Sequence, residues 1–178
     1  MGRSIDKGGV MAKKKSRLEY LRVGFRKHGA SIRLRLRWDN SPDTCKVVSE
    51  ALPFQGRLWH AKYASSEIYT LLPVKKIFGR EPLPEWQCMY PNMGDLMWLF
   101  HPPGLIPGDV SPPDNPVRLV DVAYFYARGT SLYGPWGANP GNIFATAISL
   151  EDIEEFGKSC QHVWMHGFAK ETLFFEAA

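Results

Sequence analysis

The sequence predicts a mainly β fold, namely a closed or nearly closed β-barrel with two short helices. Residues 31–38 alternate strictly between apolar residues and arginines, which is typical of a half-buried antiparallel strand. Seven further segments have strand length and are separated by glycines, prolines and polar turns. Only two segments have apolar residues at helical spacing. Many strands with few helices favour a barrel or sandwich.

The elements follow in a simple order along the chain. Ser41, Pro42 and Asp43 predict a helix start, because they suit the cap, the first turn and the positive helix end. Ser149 and Asp152 predict the start of the second helix. Residues 73–92 are predicted to be irregular, and the proline-rich residues 101–116 to form a cover or a wall over a site. The strands are predicted over residues 18–26, 31–38, 56–64, 67–72, 94–100, 119–126, 142–148 and 170–176.

Charge divides the chain into a basic beginning and a mildly acidic body. Residues 1–40 carry a net charge of +9 and residues 41–178 a net charge of −5. We therefore expect a disordered basic segment over residues 1–16 and a single domain over residues 17–178. No basic and aromatic recognition motif accompanies the charge, so no specific nucleic-acid partner is predicted.

The cellular location is predicted from sequence features that are absent. No apolar run approaches the ~20 residues of a membrane helix, and the basic start has no apolar core of a secretory leader. The three cysteines are scattered, with no paired spacing. A cytoplasmic protein with no membrane partner is expected.

Several short motifs carry a family resemblance. They are Pro42, Thr44, Leu52–Pro53, Gly56, His60–Ala61, Glu67, Tyr69, Met93–Leu96, Gly137–Ala145 and Gly167. In this order and spacing the chain resembles bacterial proteins with a cyclophilin-like fold and no assigned function. The resemblance implies a cyclophilin-like barrel over most of residues 31–176.

Prolyl-isomerase chemistry is not expected from this resemblance. Cyclophilin isomerases are similar in plan, but they need an arginine directly after the strand histidine. Here Ala61 follows His60, and Lys62 should point to the opposite face from Ala61. The chain therefore lacks the donor that would ease rotation about the peptide bond.

The first three candidate ligand-binding residues lie on neighbouring predicted strands. His60 and Lys62 should share one strand face and could hold an anion, unless His60 bonds to the backbone and Lys62 is exposed. Glu67 could orient the His60 ring across a hairpin. It could equally form a surface ion pair of little energetic weight.

Three further candidates surround the later strands. Asp95 follows Gly94 and is either a ligand-facing carboxylate or a turn-forming aspartate. Arg128 could clamp a carboxylate, and Trp136 could belong to an aromatic wall over a planar ligand. The alternative is that the aromatic residues near this glycine-rich loop are ordinary core.

These residues predict a binder of a small polar or anionic metabolite at the barrel mouth. No nucleophile motif or cofactor fingerprint is present, so the catalytic residues are unknown and no cofactor is predicted. His60, Glu67, Asp95 and His101 lack the compact spacing of a metal site, so no metal is predicted. Two alternatives remain open. One is an enzyme, either a small-amide hydrolase with His60 as the base or a residual isomerase. The other is a subunit-interaction protein, and formation of a homo-oligomer is also considered.

Overall fold

The fold is seen in a computed structural model that describes residues 17–101, 117–167 and 170–178. The predicted basic segment 1–16 lies outside the described residues. Of the predicted loop 101–116, His101 belongs to β7 and residues 102–116 lie outside the described residues. The described part is mainly β, with three helices. Its strands are β1 (Tyr20–Phe25), β2 (Ser31–Leu36), β3 (Phe54–Arg57), β4 (Trp59–His60), β5 (Glu67–Pro73), β6 (Gln87–Cys88), β7 (Asp95–His101), β8 (Leu119–Phe125), β9 (Tyr133–Gly134), β10 (Gly137–Ala138), β11 (Gly141–Ala147) and β12 (Thr172–Ala177). The helices are α1 (Pro42–Ala51), α2 (Val74–Phe78) and α3 (Leu150–His166).

One large antiparallel sheet organises the molecule. Its strand order is β3-β12-β1-β2-β11-β7-β8-β5-β4, with β6 added beside β11. Strands β9 and β10 form a separate small hairpin. The predicted mainly β fold is confirmed. No closed barrel is found within the described residues, because no hydrogen-bonded ladder there joins β3 to β4.

The central strands β5, β8 and β7 are covered on both faces. One face packs into the main core with residues such as Trp98, Val122 and Tyr124. The other face packs into a smaller cluster that includes Met97, Ala123 and Phe125. Strands buried on both faces have continuous apolar sequences, which explains the lack of alternation in β7 and β8.

Helix α1 begins where the sequence predicted, although its cap differs from the expected one. Ser41 Oγ donates to the Ile143 carbonyl at 2.7 Å and makes no cap hydrogen bond. Instead, the Glu85 carboxylate accepts from the backbone N–H groups of Asp43 and Thr44, each at 2.9 Å. A carboxylate from a distant segment thus satisfies the helix end.

The prediction of two short helices was wrong in number and in length. Helix α3 has 17 residues and begins at the predicted Ser149 cap, whose side chain accepts from Asp152 N at 3.2 Å. It is long because Ile153, Phe156, Cys160 and Val163 continue one buried stripe over about three turns. Helix α2 lies in residues predicted to be irregular, and it is too short to show a helical period.

The predicted strand over residues 56–64 was also wrong in part. The structure has two short strands there, β3 and β4, and the chain leaves the sheet after His60. Residues 61–66 then form a loop over the second face of the central strands. This loop forms one side of the site described next.

Candidate functional site

A cavity of about 190 Å³ lies on the second face of β5, β8 and β7. Side chains that alternate along each strand form its floor. Strand β5 contributes Glu67, Tyr69 and Leu71, strand β8 contributes Asp121, and β7 contributes Leu99 and His101. Strand pairing holds these groups together, since Asp121 is opposite Leu71 on one side and Leu99 on the other.

The walls of the cavity come from two irregular segments. The loop after β4 supplies Ala61, Lys62, Tyr63 and Ala64. The segment around β9 and β10 supplies Leu132, Tyr133, Gly134, Trp136 and Asn139. Tyr63 and Trp136 meet edge to face at the rim, with ring centroids 6.0 Å apart. The cavity is therefore mostly apolar and aromatic, as small-molecule sites are.

Three buried polar side chains interrupt this apolar lining. Glu67 is 3% exposed, and Asp121 and His101 are each 5% exposed. Burial, together with the nearby Asp121, raises the pKa of Glu67 well above its usual range. Burial likewise raises the pKa of Asp121 and lowers the pKa of His101 to about 4. At neutral pH the histidine is therefore uncharged. The raised pKa of each carboxyl group shifts that group towards its protonated form.

The hydrogen-bonding capacity of these groups is not filled. His101 Nε2 lies 3.5 Å from Asp121 Oδ2, which is longer than an ordinary hydrogen bond. That geometry is compatible with an ion pair, but burial opposes the charged form of each partner. Asp121 Oδ1 and His101 Nδ1 are buried and have no hydrogen-bond partner among the described residues. Unpaired buried polar atoms are rare in folded proteins and call for a physical explanation.

Tyr69 completes the polar floor. Burial raises the pKa of its hydroxyl, with smaller contributions in the same direction from Asp121 and Glu67. The phenol therefore stays protonated at neutral pH. Together, the floor can donate and accept hydrogen bonds, and it can hold or release a proton at its carboxyl groups.

Three of the six predicted site residues line this cavity. Glu67 lies on its floor, Lys62 is exposed on the loop at one wall, and Trp136 stands at the rim. Lys62 does not share a strand face with His60, because β4 ends at His60.

His60 lies away from the cavity, under the end of α3. It is paired with Ile68 of β5, so it faces the main core while Glu67 faces the opposite side. Its Nδ1 donates to the Ala61 carbonyl at 3.0 Å, and its Nε2 accepts from the Tyr126 hydroxyl at 2.7 Å. Both ring nitrogens are satisfied, and burial lowers the pKa of His60.

Asp95 and Arg128 also lie outside the described cavity lining. Asp95 Oδ1 accepts from Thr146 Oγ1 at 3.0 Å, and its Oδ2 accepts from Asn92 N at 2.9 Å. This is the turn-forming role that the sequence left open. Arg128 is exposed in the turn after β8.

The sequence interpretation missed Asp121 altogether. A signal was present, since Asp121 is the one charged residue in the strand sequence LVDVAYF. A charge in the middle of a buried strand is costly unless it has a partner or a use. Tyr69 was noticed among the motifs of the family resemblance, and His101 only in a group of residues without the spacing of a metal site.

The described part of the chain contains no group of three or more histidine, cysteine, aspartate or glutamate residues that could hold a metal ion. None of the three helices in the described ranges is long and apolar enough to cross a membrane.

Comparison with known proteins identifies the family. A family described as "Protein of unknown function (DUF3830)" matches residues 23–175, so the chain belongs to that family. No curated protein matches the chain. Among solved structures it is similar to "Structure of McbB in complex with tryptophan", with a TM-score of 0.61 and 14% identity. That likeness covers 88% of this chain and 44% of the McbB chain, so this chain spans less than half of that protein.

A second solved structure is similar over nearly the whole chain. It is the solution structure of the hypothetical protein AF2241 from Archaeoglobus fulgidus, with a TM-score of 0.48 and 15% identity. The likeness covers 94% of this chain and 100% of that one. At 14% identity, the similarity to McbB shows a shared fold.

Proposed function

We propose that this member of the DUF3830 family binds a small polar molecule with a flat apolar body, in the cavity between Glu67 and Trp136. The observation that carries the proposal is the set of buried, incompletely paired polar groups on an otherwise apolar floor. Asp121 Oδ1 and His101 Nδ1 lack partners among the described residues, and both residues line the cavity. A bound ligand would supply those partners.

A purely structural role does not account for these groups. Each buried polar atom without a partner destabilises the fold by about 1–3 kcal/mol relative to an apolar replacement. Nearby positions on the same face are apolar, such as Leu71 and Leu99, so the sheet tolerates apolar residues there. Polar residues that lower stability are common where a protein binds or reacts.

The lining also indicates the shape of the ligand. Tyr69, Tyr63 and Trp136 offer ring surfaces, and Leu99 and Leu132 offer aliphatic surface. An apolar cavity of about 150 Å³ is large enough for one benzene ring, and this cavity is somewhat larger. A ligand with one or two fused rings fits these walls. The McbB structure of the same fold was solved with tryptophan, a molecule of that kind.

We also propose a nearly closed, cyclophilin-like barrel as the finer description of the fold. The support is a close approach between β3 and β5. A Cβ on Gly56 would lie only 2.2 Å from Thr70 Oγ1, so these strands touch without a ladder between them.

Cytoplasmic location and a homo-oligomeric state stay proposals from the sequence. Size-exclusion chromatography with light scattering tests the latter.

A thermal-shift screen of small aromatic compounds tests the binding proposal. A ligand at a hundred times its Kd should add about 2.7 kcal/mol of stability. In a domain of this size that is a rise in Tm of about 5–10 °C.

Two tryptophan variants give the screen a matched comparison. Trp136→Ala removes a rim residue that is 48% exposed, and Trp164→Ala removes one that is 59% exposed on α3 and does not line the cavity. Loss of the shift in Trp136→Ala alone supports the proposal. Equal shifts in both variants, or no ligand in a broad screen, would overturn it.

Proton-transfer catalysis in the same cavity is a second candidate function. The observation that favours it is the raised pKa of Glu67 and Asp121 beside the uncharged His101. Carboxyl groups with a raised pKa can exchange protons with a substrate near neutral pH. A turnover rate that is lost in Glu67→Gln while binding persists would distinguish an enzyme from a binder.

A further inference from the structure

We propose that the cavity selects organic cations, and that the protonated amine of the ligand is held between Glu67 and Asp121. This inference rests on the binding function proposed above and names the class of ligand. The primary observation is geometric. Two buried carboxyl groups, and no cationic group of the described floor, face the same small cavity.

Few titratable groups of the described residues face the cavity, and each can be assigned to a strand or a loop. The floor presents carboxyl, phenol and imidazole groups, while the loops present one amine and two more phenols. The titratable lining groups in the described residues are Glu67 and Tyr69 from β5, His101 from β7, Asp121 from β8, Lys62 and Tyr63 from the loop after β4, and Tyr133 from β9.

Among the described lining residues, no buried group offers a stable positive charge to an anion. Lys62 is exposed on the loop, where water solvates its ammonium group. His101 is buried and uncharged at neutral pH. An anionic ligand would therefore lose hydration and approach two carboxyl groups without a compensating cation. The lining therefore disfavours an anionic ligand, which the sequence suggested, and remains suited to a polar ligand.

A protonated amine, in contrast to an anion, has favourable electrostatic interactions with the carboxyl groups of this site. An alkylammonium carries three N–H donors, and Asp121 Oδ1 lacks a donor in the described structure. A cation beside the carboxyl groups favours their ionised forms. When the ammonium binds, a protonated carboxyl therefore ionises, its proton goes to solvent, and the amine keeps its own. The complex then contains a charge-assisted hydrogen bond in a buried setting.

Matched compounds test this charge selection. Indole, benzene and cyclohexane are each used as the ethylamine, ethanol and acetic-acid derivative, with calorimetry at pH 7. We expect the amine of the preferred ring to bind about ten- to a hundredfold more tightly than the alcohol, and the acid more weakly than either. Repeating the titration in buffers of different ionisation enthalpy should show release of up to about one proton.

The outcomes separate this inference from the proposed function. If alcohol and amine bind equally well, the cavity is a binding site but the charge selection is wrong. If the acid binds most tightly, the inference is also overturned while binding stands. If no compound in the panel binds, both fail. Binding of the amine without release of a proton would contradict the proton step.

Two conservative variants localise the effect. Glu67→Gln and Asp121→Asn remove the carboxyl charge and keep nearly the same size. Each should weaken amine binding by about tenfold or more while changing alcohol binding much less. Asp95→Asn is the control, since Asp95 is buried but outside the cavity lining. An equal loss in the control would indicate a general structural effect and overturn the assignment.

Discussion

The uncharged state of His101 can be tested through the dependence of stability on pH. Burial lowers the pKa of His101 from 6.5 to about 4 in the folded protein, while the unfolded chain keeps the ordinary value. Between these values the unfolded state binds more protons. The stability that the neutral ring contributes is therefore complete above pH 6.5 and is lost as the pH falls towards 4.

These two pKa values set the size of the effect. Between pH 7 and pH 4.5, protonation of His101 in the unfolded state should remove about 2 kcal/mol from the free energy of unfolding. His101→Gln cannot titrate, so it lacks this loss. The stability difference between wild type and variant should therefore shift by about 2 kcal/mol in favour of the variant at the lower pH.

Urea denaturation at the two pH values measures this shift. Other titrating groups, including Glu67 and Asp121, are present in both proteins, so their contributions largely cancel in the difference. A constant difference between wild type and His101→Gln across the two pH values would refute the reasoning. It would mean that burial does not lower the pKa of His101, and that the ring gains a proton as readily in the folded protein as in the unfolded chain.

Three further predictions follow from the same structure. Glu67→Gln should stabilise the unliganded protein by about 1–2 kcal/mol at pH 8 in urea titrations, since folding raises the pKa of Glu67. The gain in stability should vanish near pH 4, and a loss of stability at pH 8 would contradict the prediction. Glu171→Ala should destabilise the folded protein by about 2–4 kcal/mol, because the buried Glu171 carboxylate accepts from the N–H groups of Lys27, His28 and Thr172. An unchanged Tm would contradict this and show that water replaces the carboxylate as the acceptor. A protease-coupled assay should show no prolyl isomerisation above background, since the proposed cyclophilin-like barrel has Ala61 after His60 where that resemblance implies an arginine; a measurable rate would disprove this.

Local sequence signals predicted much of the fold. The alternation in β2, the start of α1 at Pro42 and the cap of α3 at Ser149 each have a local physical cause, and each is present. The sequence interpretation missed the length of α3, although the apolar stripe of this helix continues to Val163. The Glu85 carboxylate at the start of α1 could not be predicted, because it comes from a segment some 40 residues away.

The site was harder to predict, because β7 and β8 are apolar on both faces. Their sequences show no alternation, so periodicity does not indicate which face carries a cavity. The remaining signal is the single charge of Asp121 in β8, which the sequence interpretation missed. Glu67 and Trp136 were identified by residue type and position. His60 was grouped with Lys62 on the assumption that the strand continued, whereas β4 ends at His60.

A crystal soak with 2-phenylethylamine tests the central claim most directly. The account predicts density for the ring beside Tyr69 and Trp136, with the nitrogen within about 3 Å of a carboxyl oxygen of Glu67 or Asp121. Density with the nitrogen pointing out to solvent past Lys62 would contradict the charge selection. An empty cavity at saturating ligand, with the compound bound elsewhere or nowhere, would contradict the binding function itself.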